Sequence, residues 1–224
     1  MDELECTKDY VVPNPQCELA FLETFQDDIT QNGKWKYSKQ PEYKGQAWIQ
    51  GSGFVKSTLE CDKALVAKNP ATRYGIATLF DRPVTNQESD LVIQYEVRFQ
   101  KQMECGGAYI KLLRDGSLRS AEELRDDTPF VVMFGPDICG TMDRVHVIIP
   151  HFNPKSGKWS EHRLRGGPRP MNDTNTHLYT LILRRDDSVE ILIDQINKFT
   201  GDLNTDFEPP FSTPAVVVAC GRDA

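Results

Sequence analysis

Alternation of apolar and polar side chains within short segments is the property that most restricts how this chain can fold. In the segment LVIQYEVRF, residues 91–99, Gln94, Glu96 and Arg98 lie on one side of an extended chain, and the apolar residues at 91, 93, 95, 97 and 99 lie on the other. Because successive side chains of a strand point to opposite faces of a sheet, this period of two predicts a half-buried β-strand.

Further segments share this strand character, whereas helical periodicity is scarce. The predicted strands cover 74–80, 108–113, 130–135, 144–150, 177–185 and 188–195. Between the last two, Asp186, Asp187 and Ser188 predict a tight hairpin. We find no internal repeat, and one domain is the simplest interpretation. The pattern predicts an all-β fold, an antiparallel sandwich or jelly roll.

The stretch from 152 to 176 interrupts this pattern. FNPKSGKW, 152–159, and LRGGPRPMNDTNT, 164–176, are rich in Gly, Pro and Asn, which favour turns over strand pairing. We therefore expect a long, exposed connection here. Within it, Asn172 begins an N-x-T sequence, which can accept a glycan only if the chain passes through the secretory pathway.

The overall charge excludes one class of partner. The chain has 33 acidic and 26 basic residues, a net charge of −7, and no basic run that could follow a phosphate backbone. Nucleic acid is not expected as a partner. No apolar stretch reaches the length of about 20 residues that a membrane helix needs, and the opening MDELECTKDY lacks the regions of a signal peptide. We expect a soluble chain, with its compartment left open.

The cysteines lie at positions 6, 17, 61, 105, 139 and 220, and none shows the C-x-x-C spacing that zinc sites favour. A metal cluster is therefore not expected. Cys105 follows one strand-like segment and Cys139 ends another, which is compatible with a bridge between neighbouring strands and so with an oxidising compartment. The alternative is that all six are buried, reduced thiols.

The stretch QMECGGAYIKLLRDG, 102–116, carries the candidate binding residues. Alternation places Tyr109 and Lys111 on one face of the strand and Ile110 and Leu112 on the other. A tyrosine ring can cover the C–H face of a sugar, a lysine can donate to its hydroxyls, and the two glycines leave room. The alternative is an exposed pair on an ordinary strand.

Read together, ECGGAYIKLL, TPFVVMFGPDICG and THLYTLIL closely resemble the globular lectin domain of the calnexin and calreticulin family. The alanine of GGAY and the segment PHFNPKSGKW are nearer to calnexin and calmegin. The resemblance runs from about 20 to 211 and is most specific from 104 to 183. It divides the chain into an N-terminal extension (1–19), a lectin-like domain (20–211) and a divergent tail (212–224).

This resemblance implies a legume-lectin-like antiparallel jelly-roll sandwich that is not an enzyme. The implied function is that of a lectin chaperone, which binds monoglucosylated high-mannose N-glycans on newly made glycoproteins and also contacts unfolded polypeptides. The implied location is the lumen of the endoplasmic reticulum, or the lumenal side of its membrane if a longer form is anchored. The family's contact residues correspond to Tyr109, Lys111, Phe130, Met133 and Glu161.

One disulfide and one departure follow from the same resemblance. Cys105 and Cys139 correspond to a disulfide that joins the strands of the site. Phe130 stands where the family has a second tyrosine, so the ring remains and the hydroxyl is lost, at an expected cost of about 0.5–1.5 kcal/mol in ligand binding. Phe130 also fits an ordinary core position. Asp137 fits either a supporting hydrogen-bond acceptor or a turn residue.

The family also holds a structural calcium ion. Thr24, Asp62 and the backbone carbonyl of Lys63 correspond to part of that site. Calcium takes about six to eight oxygen ligands, so these contributions are too few by themselves. In the alternative interpretation, Asp62 is a turn carboxylate and Thr24 is a strand hydroxyl.

Beyond 211 the resemblance ends, and the family's proline-rich arm, which recruits folding partners, has no counterpart in the tail. Recruitment of an oxidoreductase through such an arm is therefore not expected. An alternative function is that of a degenerate, truncated family member that binds unfolded polypeptide or no glycan. A glycoside hydrolase is disfavoured, because Glu190 and Asp194 are four residues apart on one strand, too far for a close carboxylate pair.

Overall fold

The computed structural model describes residue 11 and residues 15–29, 33–52 and 61–211. Contacts group the chain into two compact units. The first unit comprises Met1–Val84 and Leu113–Pro129, and the second comprises Thr85–Leu112 and Phe130–Ala224. The expected tail, 212–224, and most of the expected extension, 1–19, lie outside the described residues.

The first unit contains short antiparallel pairs and two short 3₁₀ helices. Its elements are β1 (Trp35–Tyr37), which pairs with β4 (Ile76–Thr78), β2 (Trp48–Gly51), which pairs with β3 (Ala64–Ala67), and 3₁₀ helices at Pro41–Tyr43 and Ala121–Glu123. Ala77, Ala121 and Leu124 form its small buried cluster. No helix among the described residues is long and apolar enough to cross a membrane.

The second unit contains two larger antiparallel sheets. Its strands are β5 (Leu91–Arg98), β6 (Cys105–Gly107), β7 (Ile110–Leu113), β8 (Phe130–Cys139), β9 (Met142–Asn153), β10 (Lys158–Leu164), β11 (Thr176–Leu183), β12 (Ser188–Ile193), β13 (Ile196–Asp202) and β14 (Phe207–Glu208). One sheet has the order β13-β12-β11-β5. The other has the order β14-β10-β9-β8-β6, and β7 also pairs with β8.

The inner faces of these two sheets enclose the main core. Alternate residues of β8, β9, β11 and β12 are buried, and the fully buried members include Phe134, Val145, Val147, Leu181 and Ile191. Burial of such side chains stabilises the fold by roughly 1.5–3 kcal/mol each. The alternation in the sequence therefore reflects burial of one face of each strand, as predicted. The predicted all-β sandwich is confirmed.

The predicted connection from 152 to 176 is wrong in its first half. Residues 152 and 153 end β9 and residues 158–164 form β10, so only the four-residue turn 154–157 interrupts a long hairpin. Asn153 closes that turn by accepting from the backbone N–H of Lys155 (2.9 Å) and Ser156 (3.2 Å), and Gly157 supplies a positive φ of 66°. Turn-forming residues are dense here because the turn is tight, and the irregular connection is confined to 165–175.

The hairpin predicted at 186–188 is confirmed. It joins β11 to β12, and Asp187 occupies the left-handed region at φ 68°. The Asp186 carboxylate accepts from the backbone N–H (3.0 Å) and the hydroxyl (2.6 Å) of Ser188. This local hydrogen bonding is typical of aspartate in turns.

Candidate functional site: the outer face of the β8–β9–β10 sheet

The candidate site begins with the side of β8 that faces away from the core. Val132 and Phe134 point into the core, so Met133 between them points outward. Met133 lies opposite Ile148 of β9, and Ile148 lies opposite Arg163 of β10. These pairings place the three side chains in one row across the outer face.

Tyr109 lies next to this row, in the two-residue connection between β6 and β7. The N–H of Ala108 donates to the carbonyl of Pro136 (3.0 Å), which holds the connection against β8. From the core side, the hydroxyl of Tyr95 donates to the carbonyl of Ala108 (2.7 Å). A Cβ at Gly135 would collide with both that carbonyl and the Tyr95 hydroxyl. Gly135 is thus the residue that permits this close approach.

A polar cluster orients the Tyr109 ring. Its hydroxyl donates to the carboxylate of Asp137, and the ring meets His146 edge-on with centroids 6.3 Å apart. His146 Nε2 lies 3.4 Å from the same carboxylate. Burial, together with the hydrogen bond and charge of Asp137, raises the pKa of Tyr109 well above its ordinary value, so the phenol stays protonated as a donor. Asp137 lies within β8 and supports Tyr109, so it is not a turn residue.

The imidazole of His146 is kept neutral by its surroundings. Burial lowers its pKa most strongly, and the nearby charges of Arg144 and Arg163 lower it further. The negative charge of Asp137 acts in the opposite direction but does not outweigh them. A neutral imidazole can donate or accept a hydrogen bond at this face.

Lys111 and Phe130 lie together where β7 pairs with β8. The Nζ of Lys111 is 5.2 Å from the centroid of the Phe130 ring, within the range of a cation–π contact. Phe130 is only 9% exposed, yet it is not a member of the main core cluster. Burial on the Val132 side fits the core interpretation, whereas the contact with Lys111 fits a role beside the sugar. Phe130 has no hydroxyl that could bind the Lys111 ammonium group, and its ring contacts that group only through its face.

Glu161 is on the same face but farther across the sheet. It lies on β10 opposite Pro150, two strands away from Met133. Its carboxylate accepts from the guanidinium of Arg163 at 2.7 Å. Tyr109, Lys111 and Met133 therefore lie on β8 or on the segment next to it, whereas Glu161 lies two strands away on β10.

The cysteines contribute a covalent tie behind this neighbourhood. Cys105 of β6 and Cys139 of β8 lie directly opposite each other and form a disulfide, as the resemblance implies. Cys17 is a free, exposed thiol, and Cys61 is disulfide-bonded. Cys6 and Cys220 lie outside the described residues. The bridge fixes β6 only four residues before Tyr109.

The residues expected to hold calcium also come together. The carbonyls of Thr24 and Lys63 and the carboxylate of Asp62 all lie around one atom, Nε2 of Gln26, at 3.1, 3.2 and 2.9 Å respectively. Thr24 is outside any strand and contributes its carbonyl, so the strand-hydroxyl interpretation is wrong. An amide nitrogen has two hydrogens and cannot fully satisfy three acceptors, whereas a cation at the same point could.

These oxygens fit part of a calcium site. Calcium takes about six to eight oxygens, and three converge here. Among the described residues, no group of three or more His, Cys, Asp or Glu side chains is arranged to hold a metal ion. The oxygen set is thus hard and partly acidic, as calcium prefers, but incomplete.

Two other motifs have structural partners. The side-chain amide of Asn172, the first residue of the N-x-T sequence, accepts from Met103 N–H (2.7 Å) and donates to its carbonyl (3.0 Å). Glu190 binds Arg184 at 2.8 Å, and Asp194 is bound to His177. The two carboxylates considered for a hydrolase are therefore engaged separately.

Sequence reasoning missed several supporting residues. His146 lies on the outer face within the predicted strand 144–150, where the period of two could have identified it, and Arg163 lies on the same face of β10, which the predicted loop obscured. Tyr95 was assigned to the core correctly, but its hydrogen bond to the Ala108 carbonyl joins two sheets and leaves no mark in local sequence.

Comparisons with known proteins identify the family of the chain. A model of the calreticulin family matches residues 21–220. A calnexin homolog of Aspergillus fumigatus is 38% identical over 200 residues, and calmegin of Bos taurus is 36% identical over 226. These alignments cover 86% and 95% of this chain but 36% and 37% of the relatives, so the chain spans little more than a third of their length.

A solved structure shares the fold. The T. cruzi calreticulin globular domain is similar with a TM-score of 0.75 and 29% identity, and the match covers 90% of this chain and 72% of that one. The family match spans both units of the chain and includes all five candidate contact residues. The chain therefore belongs to the calreticulin family, whose members are lectin chaperones and not enzymes.

Proposed function

We propose that this chain binds the terminal glucose of monoglucosylated high-mannose glycans on newly made glycoproteins. The observation that supports the proposal is the hydrogen bond from the Tyr109 hydroxyl to Asp137 of β8, the strand that also carries Met133 and pairs with the strand of Lys111. Lys111 supplies up to three donors, Met133 supplies an apolar surface for a pyranose ring, and Tyr109 combines a ring with a polar tip.

Glu161 has a different role in this proposal from the three central residues. Its ion pair with Arg163 presents a carboxylate and a guanidinium side by side, which can accept from and donate to neighbouring hydroxyls. Its position two strands from Met133 suits a sugar beyond the terminal glucose. Family membership supports a place in the endoplasmic reticulum and a contribution to glycoprotein folding, in which unfolded polypeptides are also partners.

Calcium is the proposed cofactor. The family binds calcium, and the oxygens of Thr24, Asp62 and Lys63 would hold the ion here, with Gln26 Nε2 leaving the point they share. The ion would tie the segment before β1 to the segment before β3. Its role would be structural, because all of these residues belong to the first unit, whereas the sugar residues belong to the second.

The test is calorimetric titration of the full chain, in calcium, with a monoglucosylated oligomannose glycan and its glucose-free counterpart. We expect only the glucosylated glycan to bind, and Lys111→Ala to weaken it at least tenfold, since a hydrogen bond to a charged group contributes about 1.5–3 kcal/mol. Lys198→Ala, at an exposed lysine of β13, is the matched control and should bind as the unmodified chain does. Binding of neither glycan by a folded sample would refute the proposal and favour a degenerate domain.

A further inference from the structure

The N-x-T sequence that begins at Asn172 has no role in the proposed sugar site. Asn172 and Thr174 are both exposed, and they lie in the irregular connection 165–175, between β10 and β11. The asparagine of such a motif accepts an N-linked glycan when it lies on the surface of a chain that passes through the secretory pathway. The position of the motif in the fold meets the requirement for exposure.

The compartment proposed for the chain also suits this modification. The disulfide between Cys105 and Cys139 is typical of an oxidising compartment. The endoplasmic reticulum is such a compartment, and it holds the polyprenyl-diphosphate-linked oligosaccharide from which N-glycans are transferred. The inference rests on the proposed function in this respect, because that function places the chain there.

In the folded chain, the side-chain amide of Asn172 binds the backbone of Met103. Its Oδ1 accepts from the N–H of Met103 at 2.7 Å, and its Nδ2 donates to the carbonyl of the same residue at 3.0 Å. Because a backbone N–H can only donate and a carbonyl can only accept, the orientation of the amide is fixed. This pair of hydrogen bonds, the Asn172–Met103 clamp, joins the connection 165–175 to the segment that enters β6 at Cys105.

The clamp uses the hydrogen of Nδ2 that a glycan would replace. The N–H and the carbonyl of one residue lie close together, so one amide binds both only through Oδ1 and the Nδ2 hydrogen on the same side as Oδ1. A glycosylated asparagine is a secondary amide, which strongly prefers the trans form. In that form, carbon C1 of the sugar takes the position of this same hydrogen.

There is no room for a sugar carbon at that position in the clamped chain. The carbonyl oxygen of Met103 is only 3.0 Å from Nδ2 in this direction. Nonbonded heavy atoms pack about 3.5–4 Å apart, so an atom bonded to Nδ2 cannot lie between them. A glycan on Asn172 and the clamp therefore exclude each other.

We propose that Asn172 is an N-glycosylation site, which is modified before the connection 165–175 packs against the segment that enters β6, and that the glycan then prevents the clamp. In the transfer, Nδ2 forms a bond to C1 of the donor oligosaccharide and loses one hydrogen as a proton. The bond between C1 and the diphosphate oxygen breaks, and the polyprenyl diphosphate leaves with the electron pair. The chain thus has two forms, one glycosylated at Asn172 and one clamped to Met103.

The first experiment determines whether Asn172 is modified. The full chain is expressed in a eukaryotic secretory host behind a cleavable signal sequence, and the peptide that contains Asn172 is analysed by mass spectrometry before and after treatment with peptide-N-glycosidase. We expect a glycan on the unsubstituted chain and on Thr174→Ser, which keeps the motif, and none on Thr174→Ala or Asn172→Gln. An unsubstituted chain without a glycan at Asn172 would overturn the inference.

The second experiment tests whether the clamp protects Asn172. The unglycosylated chain, either folded or reduced and carboxymethylated to keep it unfolded, is incubated with an oligosaccharyltransferase and its lipid-linked donor. We expect transfer to Asn172 to be at least about fivefold slower on the folded chain, since two hydrogen bonds must open first. Equal rates in the two states would refute the exclusion.

A relocated motif is the matched control for this comparison. Residues 81–90 are all exposed, and Glu88→Thr combined with Asn172→Gln moves the acceptor from Asn172 to Asn86. Folding should slow transfer to Asn86 much less than transfer to Asn172. A slowing of the same size at both positions would show that the fold as a whole, and not the clamp, limits the transfer.

Hydrogen exchange measures the exclusion independently. In the glycosylated chain, the N–H of Met103 should exchange faster than in Thr174→Ala, which keeps the Asn172 amide and therefore the clamp. Equal protection of this N–H in the two chains would contradict the exclusion.

The two proposals fail separately. A chain that carries a glycan at Asn172 but binds no glucosylated ligand would refute the proposed function alone. A chain that binds the glucosylated ligand but leaves Asn172 unmodified in the secretory host would refute the glycosylation site alone.

Discussion

At the scale of single residues, the position of the Tyr109 ring depends on a glycine, Gly107. A Cβ built on Gly107 would overlap the ring and hydroxyl of Tyr109, which lies over the glycine. Because Gly107 has no Cβ, the Tyr109 ring can occupy this space and its hydroxyl can reach Asp137.

Gly107→Ala should therefore displace the Tyr109 ring and break its hydrogen bond to Asp137. Since the colliding atoms are the end of a partly exposed side chain, we expect a stability loss of about 1 kcal/mol or less, together with a five- to tenfold loss of glycan affinity. Titration and thermal unfolding of the same variant measure the two effects. Gly51→Ala has open space at the Cβ and serves as control. Unchanged affinity in the Gly107 variant would remove Tyr109 from the site.

The sequence predicted candidate residues for the centre of the site but not how they are held. Period two placed Tyr109 and Lys111 on the same face, and the structure agrees in that Ile110 and Leu112 pack against the core. The hydrogen bond from Tyr95 joins residues in different sheets. Such a contact depends on how the sheets pack, which no local pattern encodes.

At the scale of secondary structure elements, the start of β11 is anchored by a histidine between two carboxylates. His177 is only 8% exposed, and its Nδ1 lies 2.7 Å from Asp194 and its Nε2 lies 2.9 Å from Asp173. Asp194 also accepts from the N–H of Leu178 at 2.9 Å. This network joins β11 to the turn after β12 and to the connection that precedes β11.

The charge of His177 makes this anchor sensitive to pH. Burial lowers its pKa, but hydrogen bonds to Asp194 and Asp173 outweigh burial, so the pKa in the folded state is raised. The pKa values of both aspartates are lowered; for Asp194, burial opposes the shift and the bonds to His177 and Leu178 overcome it. The histidine contribution is therefore fully present below the unfolded pKa of about 6.5 and is lost as pH rises through the folded pKa.

His177→Gln should remove this dependence. We expect the stability difference between the unmodified chain and the variant to be largest near pH 6 and to shrink toward pH 8.5, as measured by urea unfolding. Taking the difference matters because His146, with its lowered pKa, contributes with the opposite sign in both proteins. Asp173→Asn should remove part of the same effect. A difference that stays constant with pH would show that the pKa of His177 is the same in the folded and unfolded states.

Element prediction succeeded where strands are long and half-buried. β5, β8, β9, β11 and β12 each bury one face against the main core, and the alternation records that burial. It failed for β6, β13 and β14, which are short or carry few buried side chains. It also failed for β10, because a four-residue turn and an exposed strand together resemble a loop in composition.

At the scale of the whole molecule, the sandwich was predictable, whereas the division into two compact units was not. The first unit combines Met1–Val84 with Leu113–Pro129, segments far apart in sequence and held by short strand pairs. Short pairs with little alternation leave a weak signal in sequence. The proposed calcium ion would stabilise this unit, because it would join its N-terminal segment to β3.

Calcium should therefore raise the thermal stability of the chain through binding linkage. At a calcium concentration of about 100 times Kd, a ligand that binds only the folded state adds about 2.7 kcal/mol. We expect a higher unfolding midpoint in calcium than in chelator or in magnesium. Asp62→Asn removes the carboxylate among the three converging oxygens and should abolish most of the shift, whereas Asp81→Asn, at an exposed residue of the same unit, should not.

A substitution at Gln26 should change the calcium-induced shift in the opposite direction from Asp62→Asn. Its amide nitrogen occupies the point around which the oxygens of Thr24, Asp62 and Lys63 converge, so calcium binding must break those hydrogen bonds. Gln26→Ala should therefore lower stability in chelator, where the amide bonds are lost, and enlarge the calcium-induced shift. If Gln26→Ala lowers stability equally with and without calcium, and Asp62→Asn keeps the shift, the amide is the resident partner of these oxygens and calcium binds elsewhere or not at all.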